Sequence, residues 1–464
     1  MKKFFRAAAA SAALIIMTSS FSCGEDVEEI NDSQESATDE NAENNKTVLT
    51  IGMPGINNLL EPLIKDFNKK SKDCEIKIVD YAELTDDSFD GGKAVHQMNL
   101  DLAAGKAADI ICCHPEFMAE FIQKDVFVDM YELMESHDGI KKEDFIPNVI
   151  KGFEVNGKIP AISNGFYIRT AIAKTKNVGE GMENWTPQQA IEAYRSMPEN
   201  MEFLYDSGDG NRNANFFMTK AARSCIDMKN YSCSFNNQEF INILDFLPQL
   251  SYQKHNYSIE MTEEEIEIYF KELNMSYIND KSLISEININ GLNHQLGYNI
   301  FADFGGENIT FVGYPSEDGN GYITGADHMY GISKSCQNTD AAWEFISYLL
   351  SEEVLMEYNL ENACIPVIQD ILDKAYTESG SNADGYMRTD YLFPDGRDNM
   401  KIPEEMIQYA YEYITNVQFE PYFSYEAESI VREEYAAVIA GEKSGKECAD
   451  IIQSRISIFM NEKK

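Results

Sequence analysis

Apolar positions follow two different periods along the chain from residue 47 onward. Residues 47–52, 75–80 and 108–113 carry β-branched or alternating apolar side chains and are predicted as strands. Between them, residues 59–67 and 94–104 place apolar side chains three and four positions apart, which is typical of helices that bury one face. Strands that alternate with helices in this way predict a parallel sheet covered by helices.

The alternation of strands and helices continues through the rest of the chain. Further strands are predicted over residues 202–205, 285–290 and 309–314. A helix begins after Thr186, which is followed by a proline at the first helical position, and another helix is predicted over residues 339–350. The predicted fold class is therefore α/β, and no internal repeat is evident.

Polar residues follow the first and the third predicted strands. Asn57 and Asn58 come after the first strand, and His114 and Glu116 come directly after the third. Because α/β sheets bind ligands beyond the carboxyl ends of their strands, these four residues are candidate ligand contacts. Capping of the following helix is an equally open interpretation of the two asparagines.

The charge of the chain narrows its possible partners. The 464 residues include 38 Lys and Arg against 78 Asp and Glu, a formal net charge of -40. Such a charge repels phosphate backbones, so nucleic acid is not expected as a partner. It also disfavours an anionic ligand unless the binding cleft is locally basic. Hydrophobic residues, at 44%, are enough to build sizeable cores.

The first residues predict export and anchoring. Residues 1–22 combine a basic start with an apolar stretch that is too short to span a membrane, which is typical of a secretory signal peptide. Cys23 follows where a bacterial lipoprotein signal has its lipid-modified cysteine, although Ser20 stands where that signal usually has Leu. Ordinary cleavage beside an incidental cysteine is the alternative. Residues 23–46 are acidic and poor in apolar side chains, which predicts a solvated tether.

Motifs of common enzymes and metal sites are absent from the sequence. The chain has no GxSxG, no HExxH, no phosphate-binding GxxxxGK[ST] and no glycine-rich dinucleotide pattern. Its nine cysteines include no CxxC pair, and residues 206–211 lack the acidic spacing and closing Glu of a calcium loop. We therefore expect no catalytic residues, no metal and no cofactor. A carboxylate pair for glycoside hydrolysis stays open as an alternative, because that pairing is spatial and not sequential.

Three stretches of the chain carry the pattern of one protein family. Residues 309–319 are a strand followed by a Pro/Gly turn, residues 331–353 contain the run GISKS before an amphipathic helix, and residues 440–455 are typical of a closing helix. In order and spacing, residues 47–461 resemble the extracellular solute-binding proteins of bacterial ABC importers (family 1, maltose-binding-protein-like). None of the three stretches is catalytic, so the resemblance implies a binding protein and not an enzyme.

The resemblance implies a two-lobed, periplasmic-binding-protein-like α/β fold of type II. Each lobe would be a mainly parallel sheet flanked by helices, and crossover hinge segments would join the lobes. Lobe 1 would comprise residues 47–160 and 327–368, and lobe 2 residues 161–326 and 369–464. A ligand would be held between the lobes, and closure would let a permease recognise the loaded form.

The resemblance also implies ligand contacts at strand ends and at the crossovers. Sugars present apolar faces ringed by hydroxyls, so stacking aromatic rings and polar side chains are expected together. Besides the four residues named above, the candidates are Asn164, Tyr167, Tyr205, Asp206, Asn290, His294, Asp327, Tyr422 and Tyr425. The aromatic run at 419–425 would otherwise be part of the core. Cys113 stands where a stacking Trp occurs in the family, so that subsite is expected to differ.

The function that the resemblance implies is transport. The chain would be a receptor on the outer face of the cytoplasmic membrane, lipid-anchored through Cys23, that captures a mono- or oligosaccharide and delivers it to an ABC permease. We expect a monomer whose only contact with the membrane is the lipid. The alternatives are a secreted glycoside-processing enzyme and a surface binding or sensor protein for a peptide, a polyamine or another solute.

The cysteines beyond Cys23 leave the redox state open. Cys225 and Cys233 are close enough in sequence to form a disulfide if the intervening loop allows it. Cys112 and Cys113 are adjacent and poorly placed to bond to each other. An exported protein can carry disulfides, but free thiols in a reducing habitat are an equally open interpretation.

Overall fold

The computed structural model describes residues 46–55, 59–85, 92–205, 212–228, 230–250, 261–290, 304, 306–356, 364–381, 386–387, 400–401 and 404–462. The helices of these segments are α1 (Leu60–Lys70), α2 (Tyr81–Thr85), α3 (Gly92–Ala103), α4 (Pro115–Gln123), α5 (Met130–Ser136), α6 (Pro147–Phe153), α7 (Thr175–Val178), α8 (Pro187–Ser196), α9 (Arg212–Ser224), α10 (Gln238–Phe246), α11 (Glu263–Ile278), α12 (Thr339–Leu349), α13 (Glu352–Val354), α14 (Gln369–Ser381), α15 (Glu404–Asn416), α16 (Tyr425–Ile439) and α17 (Gly445–Glu462). Short 3-10 helices lie at Lys142–Asp144 and Leu247–Gln249.

The strands form two larger sheets and two two-stranded sheets, β13-β14 and β6-β7. They are β1 (Thr47–Met53), β2 (Cys74–Asp80), β3 (Ile110–Cys113), β4 (Gly165–Lys174), β5 (Glu202–Leu204), β6 (Ile226–Asp227), β7 (Ser232–Cys233), β8 (Ser282–Ile289), β9 (Ile309–Thr310), β10 (Ile323–Gly325), β11 (Met329–Ile332), β12 (Ile365–Pro366), β13 (Tyr386–Met387) and β14 (Met400–Lys401). The residues from Lys46 to the end of the chain form one compact unit.

The first sheet has the strand order β11-β3-β1-β2. Strand β1 lies parallel to both β2 and β3, whereas β11 runs antiparallel to β3. The apolar runs of β1 and β3 predict these strands because the strands of a parallel sheet bury both faces. Helix α1 connects β1 to β2 and buries Leu60, Ile64 and Phe67. The predicted order of strand, helix, strand, helix and strand is confirmed in this part of the chain.

The second sheet is built around the long strand β4 and has the order β10-β4-β8-β5. Strands β5 and β8 are parallel. Strand β4 is antiparallel to β8, to β10 and to the short strands β9 and β12. The α/β fold class is confirmed, but the expectation of a mainly parallel sheet holds only for the first sheet. The reason is that β4 crosses the second sheet against the direction of its neighbours.

Alternate residues of β4 face two different sets of neighbours. Ile168 and Ile172 belong to the larger hydrophobic core, which also contains the first sheet. Ala171 belongs to a second core, together with side chains of α9 and α16. Because side chains alternate along a strand, Tyr167 and Arg169 lie on the same face as Ala171.

The chain passes from one sheet to the other at two described places. Ile162 bridges to Tyr330 of β11, and β4 begins three residues later. Strand β10 of the second sheet ends at Gly325, and β11 of the first sheet begins at Met329. Asn164 and Asp327 therefore lie in the segments that connect the two sheets.

The strand predicted over residues 309–314 ends earlier than the sequence suggests. Only Ile309–Thr310 is a strand, because the chain turns at Gly313, whose φ is 71°. The next residue, Tyr314, donates its amide to the carbonyl of Gly321 at 2.7 Å. A Cβ at Gly313 would lie 2.3 Å from that carbonyl oxygen, so glycine is required at this close approach.

Candidate ligand-binding site

His114 lies between the end of β3 and the beginning of α4. Its Nδ1 accepts a hydrogen bond from the amide of Glu116 at 3.3 Å, and Pro115 occupies the first helical position. The helix therefore begins with a side-chain cap followed by a proline, a combination that fixes its start. Burial lowers the pKa of His114 to about 4, with a smaller contribution from His328, so the imidazole is neutral near pH 7.

The aromatic cluster of this site consists of His114, Phe423 and Tyr425. The imidazole of His114 is stacked on the ring of Tyr425, with 5.6 Å between centroids and 25° between planes. Phe423 contacts both rings edge to face, at 5.7 Å from His114 and 4.7 Å from Tyr425. Phe423 is buried, whereas Tyr425 is 52% exposed. An exposed ring held in place by two others is a preformed surface for an apolar ligand face.

Two ionic groups support the aromatic cluster from α9 and α16. The guanidinium carbon of Arg223, near the end of α9, lies 4.3 Å from the ring centroid of Phe423. Its Nε also forms an ion pair with Glu428 Oε1 at 2.6 Å, a contact that lacks the geometry of a hydrogen bond. Both side chains are largely buried, at 16% and 22% exposure. This pairing fixes the position of the Phe423 ring through a cation–π contact.

Tyr167 is the contribution of β4 to the site. It pairs with Gly325 of β10, and its ring lies so close that a Cβ on Gly325 would be 2.4 Å from the hydroxyl oxygen. Burial raises the pKa of Tyr167 to about 12, with smaller contributions from Tyr425 and Asp327, so the hydroxyl is protonated at neutral pH. Asp327 follows two residues after Gly325, the strand partner of Tyr167, and the charges of Tyr425 and Asp327 both act on the Tyr167 hydroxyl.

Asp327 and His328 complete the site from the segment between β10 and β11. Asp327 is exposed, and His328 is half-buried. Burial lowers the pKa of His328, an effect that Asp327 partly offsets. Burial also raises the pKa of the Cys364 thiol to about 12, and the charge of Asp327 adds to that rise. The site therefore offers a carboxylate, a neutral imidazole and a phenol beside an exposed aromatic ring.

The structure brings five of the predicted residues together: His114, Glu116, Tyr167, Asp327 and Tyr425. Two more lie on the same strands. Asn164 is buried and directly precedes β4. Asn290 follows Ile289, whose partner in the sheet is Ile168, and this register puts Asn290 at the level of Tyr167.

Two predicted aromatic residues have their rings in packed surroundings. Tyr205 is buried and contacts Tyr269 at 5.7 Å between centroids. Tyr422 packs against the larger core, and its buried hydroxyl has no hydrogen-bond partner among the described residues. Burial raises the pKa of both phenols. The remaining predicted residues, Asn57, Asn58, Asp206, His294 and the lipidation candidate Cys23, lie outside the described residues.

Four residues of the site were not predicted from the sequence: Arg169, Arg223, Phe423 and Glu428. Phe423 stands inside the aromatic run that directed attention to Tyr422 and Tyr425. Arg169 is a charged residue in the middle of a mostly apolar strand, a signal that could have identified it. Arg223 and Glu428 are 205 positions apart, and no local pattern connects them.

Metal and disulfide chemistry is not seen in the described part of the chain. None of its His, Cys, Asp and Glu side chains form a group of three or more suited to a metal ion. Cys225 directly precedes β6 and Cys233 lies in its partner strand β7, and both thiols are free. The same is true of the adjacent Cys112 and Cys113. Among the described helices, none has the length and apolar character needed to cross a membrane.

Comparison with known proteins connects this chain to one family. Residues 62–383 match the model of the bacterial extracellular solute-binding protein family. No curated protein matches the chain in sequence.

Three solved structures resemble the fold over most of the chain. The sugar-binding protein MalE from Xanthomonas citri is 15% identical with a TM-score of 0.55, covering 90% of this chain and 98% of its own. An extracellular solute-binding protein family 1 member from Alicyclobacillus acidocaldarius is 12% identical with a TM-score of 0.55, covering 89% and 98%. A cyclic α-maltosyl-1,6-maltose binding protein from Arthrobacter globiformis is 13% identical with a TM-score of 0.52, covering 90% and 100%. At these identities the likeness establishes the periplasmic-binding-protein-like fold.

Proposed function

This chain belongs to the bacterial extracellular solute-binding protein family, and from that premise we propose that it captures a sugar and delivers it to an ABC permease. The proposal is carried by one observation, the half-exposed ring of Tyr425 beside the polar groups of Tyr167 and Asp327. A sugar ring has apolar C–H faces and a rim of hydroxyls. A stacked aromatic ring flanked by hydrogen-bonding side chains matches both features.

The two sheets would be the centres of two lobes that close on the sugar. We assign residues 47–160 and 327–368 to one lobe and residues 161–326 and 369–464 to the other. The segments around Asn164 and Asp327, which connect the sheets, support this division and would act as hinges. His114 and Glu116 of the first of these lobes already contact Tyr425 of the second, so the hinges would have to open these contacts for a sugar to enter and close them again around it.

The location of the receptor follows from the start of the chain. We propose that a signal peptide over residues 1–22 is removed, that Cys23 carries a lipid, and that the acidic residues 23–46 separate the folded body from the membrane. A monomer on such a tether could present its cargo to the permease without a second copy. The basic start, the short apolar stretch and the acid-rich tether support this location.

The decisive experiment is thermal unfolding of the purified protein with a panel of mono- and oligosaccharides, followed by chromatography of the recovered sugar. A sugar present at 100 times its Kd should stabilise the protein by about 2.7 kcal/mol. For a chain of this size that corresponds to a rise in Tm of a few degrees. A rise with one class of sugar, which is then recovered intact, is the expected result.

Two results would count against the receptor. If peptides or polyamines raise Tm and no sugar does, the protein binds another class of solute. If the recovered sugar is cleaved, the protein is a glycoside-processing enzyme, and the carboxylates of Glu116, Asp327 and Glu428 are the first residues to test for that activity. The panel therefore includes peptides and polyamines as well as sugars.

A further inference from the structure

Arg169 is a cationic residue in the middle of β4, on the strand face that leads to the site. It pairs with Asn288 of β8 and Ile323 of β10. Tyr167 and Ala171 are its neighbours on the same face, and Ala171 pairs with Glu286. The side chain of Arg169 is half-buried. Its guanidinium forms no hydrogen bond and no ion pair with the residues that the structure describes.

Tyr314 and the carboxylates of Glu286 and Glu428 raise the pKa of Arg169, but the oxygens of Glu286 accept hydrogen bonds from other donors. Glu286 Oε2 accepts a hydrogen bond from Arg212 Nε at 3.1 Å. Its Oε1 accepts another from the Tyr314 hydroxyl at 3.0 Å. Both oxygens of Glu286 therefore have donors without Arg169, and the charge of Glu286 is shared with a second arginine.

The other acids of the site are also occupied or exposed. Glu428 is paired with Arg223 at 2.6 Å, and Glu116 accepts from the amide of Tyr425 at 2.7 Å. Asp327 is exposed to solvent, where water screens its charge. A guanidinium that is partly removed from water and has no acceptor of its own provides donors for a ligand.

The charge of Arg169 acts on the two tyrosines of the proposed sugar surface. Burial raises the pKa of Tyr425, Glu428 adds to the rise, and the charges of Arg223 and Arg169 oppose it. Arg169 has the same opposing effect on the pKa of Tyr167. These effects agree with the strand register, which puts Arg169 two residues from Tyr167 on the same face.

We propose that the cargo is an acidic sugar, a uronic-acid mono- or oligosaccharide whose carboxylate binds Arg169 while its ring stacks on Tyr425. This inference rests on the proposed function and names the class of its substrate. The planar guanidinium offers two parallel N–H donors that match the two oxygens of a carboxylate. A net charge of -40 repels an acid in general, so such a cargo needs the unoccupied N–H donors of Arg169 to hold its carboxylate.

The test compares matched pairs of sugars by calorimetric titration of the whole protein. Each pair is a uronate and the neutral sugar of the same configuration and linkage, such as digalacturonate and α-1,4-galactobiose. The panel covers gluco, galacto and manno configurations as mono- and disaccharides, together with sulfated sugars and acidic peptides. The expected result is that a uronate binds at least tenfold more tightly than its neutral partner.

Three variants then assign the preference to Arg169. Arg169→Gln should weaken uronate binding about 10- to 100-fold, because hydrogen bonds to charged groups are lost. Arg169→Lys keeps the positive charge but lacks the two parallel N–H donors, so uronate affinity should fall less than in Arg169→Gln. Arg432→Gln, at an exposed position on α16, is the matched control and should bind like the unchanged protein. The Tyr314 phenol and the charges of Glu286 and Glu428 raise the pKa of Arg169, so Arg169→Gln should lower the unfolding midpoint somewhat, and its sugar binding is measured below that midpoint.

Each contrary outcome has a distinct meaning. If a neutral sugar binds as tightly as its uronate, the acidic cargo is wrong and the sugar receptor stands. If Arg169→Gln keeps the preference for the uronate, Arg169 is not the residue that binds the carboxylate. If a sulfated sugar binds more tightly than every uronate, the carboxylate assignment is wrong. If no sugar of either kind binds, or if only an acidic peptide does, the proposed function itself fails.

Discussion

The carboxylate of Glu116 accepts a hydrogen bond of 2.7 Å from the backbone amide of Tyr425. Glu116 lies in the first turn of α4, which follows the first sheet, and Tyr425 begins α16, which packs on the second sheet. The first amides of a helix have no partner within the helix, and a negative charge at that end is favourable. The Glu116 side chain thus connects α4 to α16 and accepts a hydrogen bond from an amide at the start of α16 that has no partner within the helix.

Removing the Glu116 carboxylate should weaken both the fold and ligand binding. We expect Glu116→Ala to lower the free energy of unfolding by about 1 kcal/mol, since a helix-terminal hydrogen bond is lost. Glu116→Gln keeps a hydrogen-bond acceptor without the charge, so its free energy of unfolding should fall by less. Urea unfolding with and without the bound sugar measures both effects. Glu135→Ala, at an exposed position on α5, is the control, and a loss no larger than that of the control would contradict this role.

Replacing Tyr425 should affect binding far more than folding. The ring is 52% exposed, so Tyr425→Ala removes little buried surface. If a sugar stacks on this ring, its affinity should fall by about 30-fold, the cost of truncating an aromatic contact at the centre of an interface. Tyr425→Phe preserves the stacking face of the ring, so its affinity for the sugar should fall much less. Calorimetric titration of both variants measures the difference, and equal losses would show that the ring face is not the contact.

Stability should fall as the pH is lowered from about 6.5 to 4. The folded-state pKa of His114 is about 4, below its ordinary value of 6.5, so the unfolded chain binds the proton more readily. Above pH 6.5 the neutral His114 does not lower the free energy of unfolding. As the pH falls toward 4, the free energy of unfolding decreases by up to roughly 3 kcal/mol through this residue. His328, whose pKa burial also lowers, acts in the same direction.

The variant that isolates this effect is His114→Asn, because asparagine is also a good N-cap. Its free energy of unfolding should depend less steeply on pH between 6.5 and 4.5 than that of the unchanged protein. The exposed His96 on α3 provides the control substitution, His96→Asn. Parallel curves for all three proteins would mean that His114 is not held neutral in the folded state.

A methyl group on Gly325 should act through Tyr167. The Cβ of Gly325→Ala would lie 2.4 Å from the Tyr167 hydroxyl oxygen and 2.5 Å from Cζ, so the ring must move. We expect ligand affinity to fall and the free energy of unfolding to decrease by roughly 1–2 kcal/mol. In the double variant with Tyr167→Ala, the alanine at 325 should cost almost nothing further. Full additivity of the two substitutions would show that the ring does not transmit the effect.

The apolar patterns were sufficient to predict the first sheet. Strands β1 and β3 are buried on both faces and therefore appear as continuous apolar runs. The turn at Gly313 was not predicted, because the sequence alone does not show that the backbone of Gly321 comes within contact of it. Strand direction in the second sheet was missed for a similar reason, since pairing partners lie far apart in sequence.

The site could be predicted only at the level of residue types and strand ends. His114, Glu116 and Tyr425 were found because strand termini and aromatic runs have local signatures. No local sequence signature shows which way an aromatic ring points, so the burial of Tyr205 was not predicted. Nor does any local pattern show that Arg223 meets Glu428, because the two come together only when α9 and α16 pack.

The central claim is that a sugar binds intact against Tyr425. A crystal structure of the protein with the sugar that raises its Tm tests this most directly. We predict density for an uncleaved sugar whose ring face lies on Tyr425, with oxygen atoms about 3 Å from the polar atoms of Tyr167 and Asp327. A sugar bound away from these residues, or one found cleaved in the site, would contradict the account.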